Sequence, residues 1–174
     1  MIKQPQILVN LLTMAYLWSS SSFDYYLNTF MLKYLNGSMF YNVYASVASE
    51  FLGATLSGVM VRQYGLKRTF VFSYLISAVG GIMAIMINSP TSMPFLVMVM
   101  RFGIEACFTL TYLANTLIFP VEFAATANGI CNVFARFLTV FSSPIAEIAQ
   151  PMPLVVFSAV AGFGIILSLF IRPR

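Results

Sequence analysis

Six charged side chains, Asp24, Glu50, Arg101, Glu105, Arg136 and Glu147, lie inside stretches of chain that are otherwise apolar. Asp24 and Glu147 sit near the ends of those stretches, where a carboxylate is expected to reach water. Glu50 and Glu105 lie about 15 Å from one edge, and Arg101 and Arg136 about 10 Å from theirs, if the stretches are helices rising 1.5 Å per residue. Left unpaired in hydrocarbon, each of these four would cost about 2.5–3.5 kcal/mol on insertion scales. They are therefore expected to face protein. Arg101 and Glu105 are four residues apart and can pair on one helix face, whereas Glu50 and Arg136 can pair only across helices. Two chemistries fit a balanced set of two acids and two bases: structural ion pairs, or a polar cavity for a charged substrate. Tyr16, Trp18, Tyr25 and Tyr26, with Ser19 to Ser22 among them, supply an aromatic and hydroxyl-rich face. Such a face can hold an organic cation by cation-π attraction, or anchor and pack a helix.

Other chemistries are excluded or unsupported. The chain has no histidine, so a histidine triad or histidine-ligated zinc or haem cannot be built from it alone. Cys107 and Cys131 lie in apolar runs, form no C-x-x-C pair and read as small buried hydrophobes. No catalytic residue, metal site or cofactor is expected, and no enzyme. The nine Lys and Arg are scattered, without the clustering that a nucleic-acid footprint needs, so nucleic acid is not an expected partner.

The elements that must position these residues follow from composition. Of 174 residues, 60% are hydrophobic and 8% charged, against about 25% charged in a soluble domain. Too few charges exist to coat a water-facing surface, so the solvent is lipid. At about 20 apolar residues per crossing, the length accommodates about six spans. Apolar runs and breakers place them near 7–30, 40–61, 69–88, 94–118, 128–148 and 154–171, in one six-helix transmembrane domain over 1–174. The breaks are Asn36-Gly37, the Arg62 to Arg68 loop, Asn88-Ser89-Pro90, Phe119-Pro120 and Gln150-Pro151-Met152-Pro153. Lys3, an apolar stretch from Ile7 and the small residues Ser19 to Ser22 have the layout of a cleaved signal peptide. Apolar character resumes at Phe23, and we read the segment as a retained helix.

With six spans, Lys3, Arg62, Lys67, Arg68, Arg172 and Arg174 share one side and Lys33 stands on the other. The positive-inside rule then puts both termini in the cytoplasm, or in the matrix if the membrane is the mitochondrial inner membrane rather than the plasma membrane. Ser49, Gly53 and Ser57 in the second span, and Ser73, Ser77 and Gly81 in the third, recur every four residues. Stripes of this kind let helix backbones approach closely.

Several local patterns, in order, resemble the C-terminal six-helix half of a major facilitator superfamily transporter, in its organic cation/organic anion transporter branch. Tyr16-Leu17-Trp18, the serines and Tyr25 are similar to the family's seventh helix. Glu50-Phe51 stands where the eighth helix has Glu-Phe or Glu-Ile. In the loop after it, where the family reads Asp-Arg-x-Gly-Arg-Arg, this chain keeps only Gly65 and a base at Lys67. Met100-Arg101-Phe102 resembles Gly-Arg-Phe of the tenth helix. Phe119-Pro120, Gly129-Ile130-Cys131, Arg136 and Pro144 follow the family's later positions. The resemblance implies half of a transporter fold, with a substrate site between two halves near mid-membrane. It also implies a loop charge network that latches the cytoplasmic face in one state of the cycle. That network is dismantled here: the acid is Arg62, the Glu is Leu117 and the later Arg is Ala124.

Two functions are thus expected. One is a transporter-derived integral subunit with an accessory, structural role in a larger membrane complex, its partners being lipid and other membrane subunits. The alternative is a half-transporter for small organic ions that works only after pairing with a second six-helix half.

Overall fold

The structure is a computed structural model that describes residues 4 to 171, with side chains from residue 7 on. Lys3, Arg172 and Arg174 lie outside the described residues. The elements are all helices: α1 (Gln4–Met31), α2 (Met39–Tyr64), α3 (Leu66–Ile87), α4 (Met93–Ile118), α5 (Val121–Thr139), the short α6 (Ser142–Ala146) and α7 (Met152–Ser168). No strand occurs among the described residues.

Four stretches are long and apolar enough to cross a membrane: α2, α3, α4 and the combined α5–α6 segment, Val121–Ala146. At 28 residues α1 has the length, but its serine run, Asp24 and Asn28 make it less apolar than those four. The 17 residues of α7 span about 25 Å, short of a hydrocarbon core of about 30 Å.

Three boundaries differ from expectation, each for a local reason. The second break shrinks from seven residues to one, because Gly65 alone, at φ 82° and ψ 159°, reverses the chain in a conformation that a Cβ disfavours. Helix α5 starts at Val121 rather than near 128, since Pro120 sets the backbone for a helix start and the first turn satisfies itself by Ala124 N–H to Pro120 O at 2.8 Å. It then stops at Thr139, where Pro144 cannot donate to the carbonyl of Val140 four residues earlier. The chain turns through Val140 and Phe141 into α6.

Small residues hold the packing together. Ser49, Gly53 and Ser57 are buried on α2, and Ser73, Ser77 and Gly81 on α3. On α4, Gly103 lies so close to α3 that a Cβ there would stand 2.5 Å from Ser73 O and 2.7 Å from Ser77 N. Ser77 Oγ donates to Met100 O at 3.3 Å. Helix α1 runs through the middle, touching α4, α5, α6 and α7. One apolar cluster gathers Leu17, Trp18, Phe70, Tyr74, Ile104 and Cys107, and a second gathers Leu27, Met31, Leu96, Met100 and Phe157.

The loops fall at two ends. Asn36 Nδ2 donates to Asn88 Oδ1 at 2.7 Å, and a pocket of about 240 Å³ joins both to Gln150 and Pro151. Lys33 belongs to this end. At the other end Lys67 and Arg68 share a groove with Leu169, beside Arg62 in the last turn of α2.

A candidate substrate-facing wall

Arg101 is the centre of the polar constellation. Its side chain, 2% exposed, forms an ion pair with Glu50, which is 32% exposed. Nε donates to Glu50 Oε1 at 2.9 Å, and Nη2 donates to the same oxygen. Nη1 donates to Tyr25 O at 2.6 Å and to Thr29 Oγ1 at 2.9 Å. The guanidinium also lies 3.6 Å from the centroid of the Tyr25 ring, within cation-π range. One arginine on α4 thus ties α2 and α1 together, and the flat, five-donor guanidinium is the side chain that can bond in three directions at once.

From Tyr25 the constellation continues along α1 to α5. The Tyr25 and Tyr26 rings meet edge to face at 5.3 Å, and Arg136 Nη1 donates to Tyr26 Oη at 3.3 Å. Arg136 is exposed, and its Nε donates to Asn132 Oδ1 at 3.4 Å, one turn back on α5. Toward the basic end, Tyr25 stacks on Phe108 at 5.5 Å, and Phe108 meets Tyr112 at 5.5 Å. Tyr112 in turn meets Trp18 at 4.7 Å. Glu105, one turn after Arg101, is half-buried, and its Oε2 has no hydrogen-bond partner. A pocket of about 350 Å³ lined by Glu50, Arg101, Thr29, Phe30, Ser46 and Lys33 opens beside the pair.

The charges therefore pair otherwise than their spacing offers. Arg101 joins Glu50 across helices rather than Glu105 within its own, and it is the sole salt bridge among the described residues. Arg136 meets a phenol and an amide rather than a carboxylate. The aromatic set divides as well. Tyr25 is on the wall, but Tyr16 packs against α7, its Oη donating to Val160 O at 3.4 Å and its ring meeting Phe163 at 5.2 Å. Trp18 is 1% exposed in the core. Asp24, expected near water, is wholly buried: it lies on the same face of α1 as Leu17, Ser21 and Asn28, all enclosed by the helices packed around α1. Glu147 is exposed at the end of α6, as its position near a span end implies. Of the loop positions, Arg62 and Gly65 are exposed and Lys67 is partly so; none touches the wall. Leu117 is exposed and Ala124 partly exposed.

Thr29, Phe108 and Tyr112 were not among the residues singled out from the sequence. The signal for the last two was available, because Arg101, Glu105, Phe108 and Tyr112 fall at i, i+4, i+7 and i+11, a single helix face.

No family model matches the chain. Two Caenorhabditis elegans proteins are similar to it. "Putative transporter svop-1" is 22% identical over 139 residues, covering 78% of this chain and 27% of the relative. "Putative transporter B0252.3" is 23% identical over 174 residues, covering 98% of this chain and 36% of the relative. The chain thus spans about a third, or less, of the length of these relatives. Their names speak of transport rather than of an enzyme, and four helical stretches here have the length and apolarity of membrane crossings. Together these make the chain a transporter-related membrane protein.

Proposed function

We propose that the chain forms one six-helix half of a major facilitator-type transporter, with both termini on the cytoplasmic or matrix side. Its polar wall would line the path of a small organic ion once a second six-helix half faces it. The supporting observation is an unbroken run of contacts across four helices: Glu50 of α2, Arg101 of α4, Tyr25 and Tyr26 of α1, then Arg136 of α5. Structural ion pairs need only neutralise themselves, yet this run leaves Arg136 exposed without a carboxylate and Glu105 with an orphaned oxygen. Arg136 is free to meet an anion, and the buried Glu105 oxygen holds unused bonding capacity. Turned to lipid they would carry the insertion cost of unpaired charges; turned to a second half they would face a cavity at mid-membrane.

The accessory-subunit reading has its own support in Arg62, Leu117 and Ala124, which replace the three charged positions of the latch that the family resemblance implies. A rigid packing role tolerates that loss, while a cycle between two states needs some other bias. In this reading another membrane protein covers the wall.

The test is to extract the protein in mild detergent with whatever it is bound to, determine the mass of the complex, and measure uptake of organic cations and anions after reconstitution. Saturable uptake that disappears with Arg136→Gln or Glu105→Gln supports the half-transporter. No uptake, from a complex much larger than two halves, overturns it in favour of the subunit. Tags at the two ends should be equally protected from protease; opposite protection overturns the even number of spans.

A further inference from the structure

We propose that Asp24 is a proton-binding site, its carboxyl group carrying a proton in this conformation and releasing it when that face of α1 opens to water. Asp24 is 0% exposed and neither carboxyl oxygen has a hydrogen-bond partner. One turn further, Asn28 is also 0% exposed, with neither amide atom partnered. Buried polar groups are nearly always satisfied, so two orphaned residues in successive turns call for an explanation. They extend a polar stripe along the inner face of α1, at the spacing 20, 21, 24, 28. The lower part of that stripe is fully bonded: Ser20 Oγ and Tyr74 Oη are 2.8 Å apart, and Tyr74 Oη donates to Leu17 O at 2.9 Å. Only the upper part, Asp24 and Asn28, has bonding capacity left over.

Among the described residues no basic side chain bonds to Asp24: Arg101 of α4 is turned to Glu50, Tyr25 O and Thr29. The titratable groups around it are Tyr16 on its own helix, Tyr74 of α3 and Cys107 of α4, all neutral at physiological pH. Helices α6 and α7 contain no titratable residue. On α5, Arg136 is directed to Tyr26 and Asn132 instead. A carboxylate anion in that setting would be a buried, uncompensated charge, and the available remedy is a proton. Release breaks the O–H bond, the proton passes to water, the electron pair stays on the carboxylate, and the site gains one negative charge. That charge favours whichever arrangement of α1 admits water, so proton occupancy would bias the two states of a transport cycle. The inference deepens the transporter reading and rests on it for its use, but proton occupancy is measurable without transport.

The experiment uses the chain in lipid nanodiscs and infrared spectroscopy of the carboxylic C=O stretch. At neutral pH the wild type should show a protonated-carboxyl band that shifts in D2O, persists in Glu105→Gln and vanishes in Asp24→Asn. Absence of the band from the wild type, or its persistence in Asp24→Asn, overturns the proposal. So does its loss when sodium is added at constant pH, which would make Asp24 a metal-cation site. Should Asp24→Asn fail to fold, carbodiimide labelling of the wild type decides. Modification at Asp24 that falls as the pH is raised supports the site, and an unmodified Asp24 at every pH overturns it. A band without any substrate uptake leaves the proton site standing while the transporter reading falls; uptake without the band does the reverse.

Discussion

The two sides of α4 are held by different physics. Toward α3 it presents Gly103 and the backbone of Met100, and contact is so close that Ser77 bonds directly to the main chain. Toward α1 and α2 it presents Arg101, Glu105, Phe108 and Tyr112, joined by an ion pair, ring contacts and one guanidinium-ring stack. The first side is fixed by shape and carries no charge. The second is fixed by charge and retains a carboxylate oxygen, on Glu105, with no hydrogen-bond partner among the described residues. In a membrane this division is informative, because packing needs small residues and dispersion contacts, while charges there are costly and therefore seldom present without a use.

The comparison breaks most visibly at Arg101. Arg101→Ala removes the donor to Glu50, Tyr25 and Thr29 at once and leaves Glu50 without its countercharge. Removing one member of a buried pair costs about 3–5 kcal/mol, and partial exposure of Glu50 places this case near the lower end. The expected outcome is a loss of about 3 kcal/mol in reversible unfolding by denaturant in detergent, with little folded protein recovered. A loss below about 1 kcal/mol would mean that the wall is not held together by this side chain.

Glu50→Gln should cost less, about 2 kcal/mol, the usual worth of a charge-assisted hydrogen bond. The amide oxygen can still accept from the guanidinium, and Arg101 keeps Tyr25 and Thr29. The same unfolding measurement should rank it between Arg101→Ala and wild type. On the opposite side, Gly103→Ala tests shape. Its Cβ would meet the α3 backbone at 2.5–2.7 Å, so the helices must separate, and overpacking costs about 1–3 kcal/mol. Alanine recovers about 0.5–1 kcal/mol in helix propensity, which leaves a net loss of about 1 kcal/mol. A gain in stability would show that α3 and α4 have room to part.

What the sequence could show follows the range of the forces involved. Breakers act locally, so Asn36-Gly37, Asn88-Pro90, Pro120 and Pro151 mark real helix ends. The small-residue stripes also speak for themselves, since their spacing alone puts Ser49, Gly53 and Ser57 on one buried line. Charge pairing is not local. Spacing offered Glu105 to Arg101, but Glu50, 51 residues away, takes the guanidinium because α2 packs against α4 at that level. Asp24 differs for a related reason: distance from a helix end does not say which face of α1 turns inward, and the line of Leu17, Ser21, Asp24 and Asn28 is the face the bundle encloses. Tyr16 and Tyr25 are nine residues apart on α1, half a turn of phase, which sends one ring to α7 and the other to the wall.

Arg136→Gln carries the smallest effect on stability and the sharpest reading of the wall. The arginine is exposed, its two hydrogen bonds at 3.3 and 3.4 Å are long, and it has no carboxylate to strand. Exposed substitutions away from special features stay within about 0.5 kcal/mol, and glutamine can still reach Asn132 or Tyr26. The melting temperature in detergent should therefore be indistinguishable from wild type. If the wall meets an organic anion, that arginine is an exposed positive charge without a carboxylate partner, and uptake or anion binding should fall by about tenfold or more, the equivalent of about 1.4 kcal/mol. An unchanged melting temperature with unchanged transport would reduce Arg136 to a surface charge and shift the weight of the site onto Glu105. A large fall in melting temperature would erase the distinction between the two sides of α4's neighbourhood, since the wall would then be structural throughout.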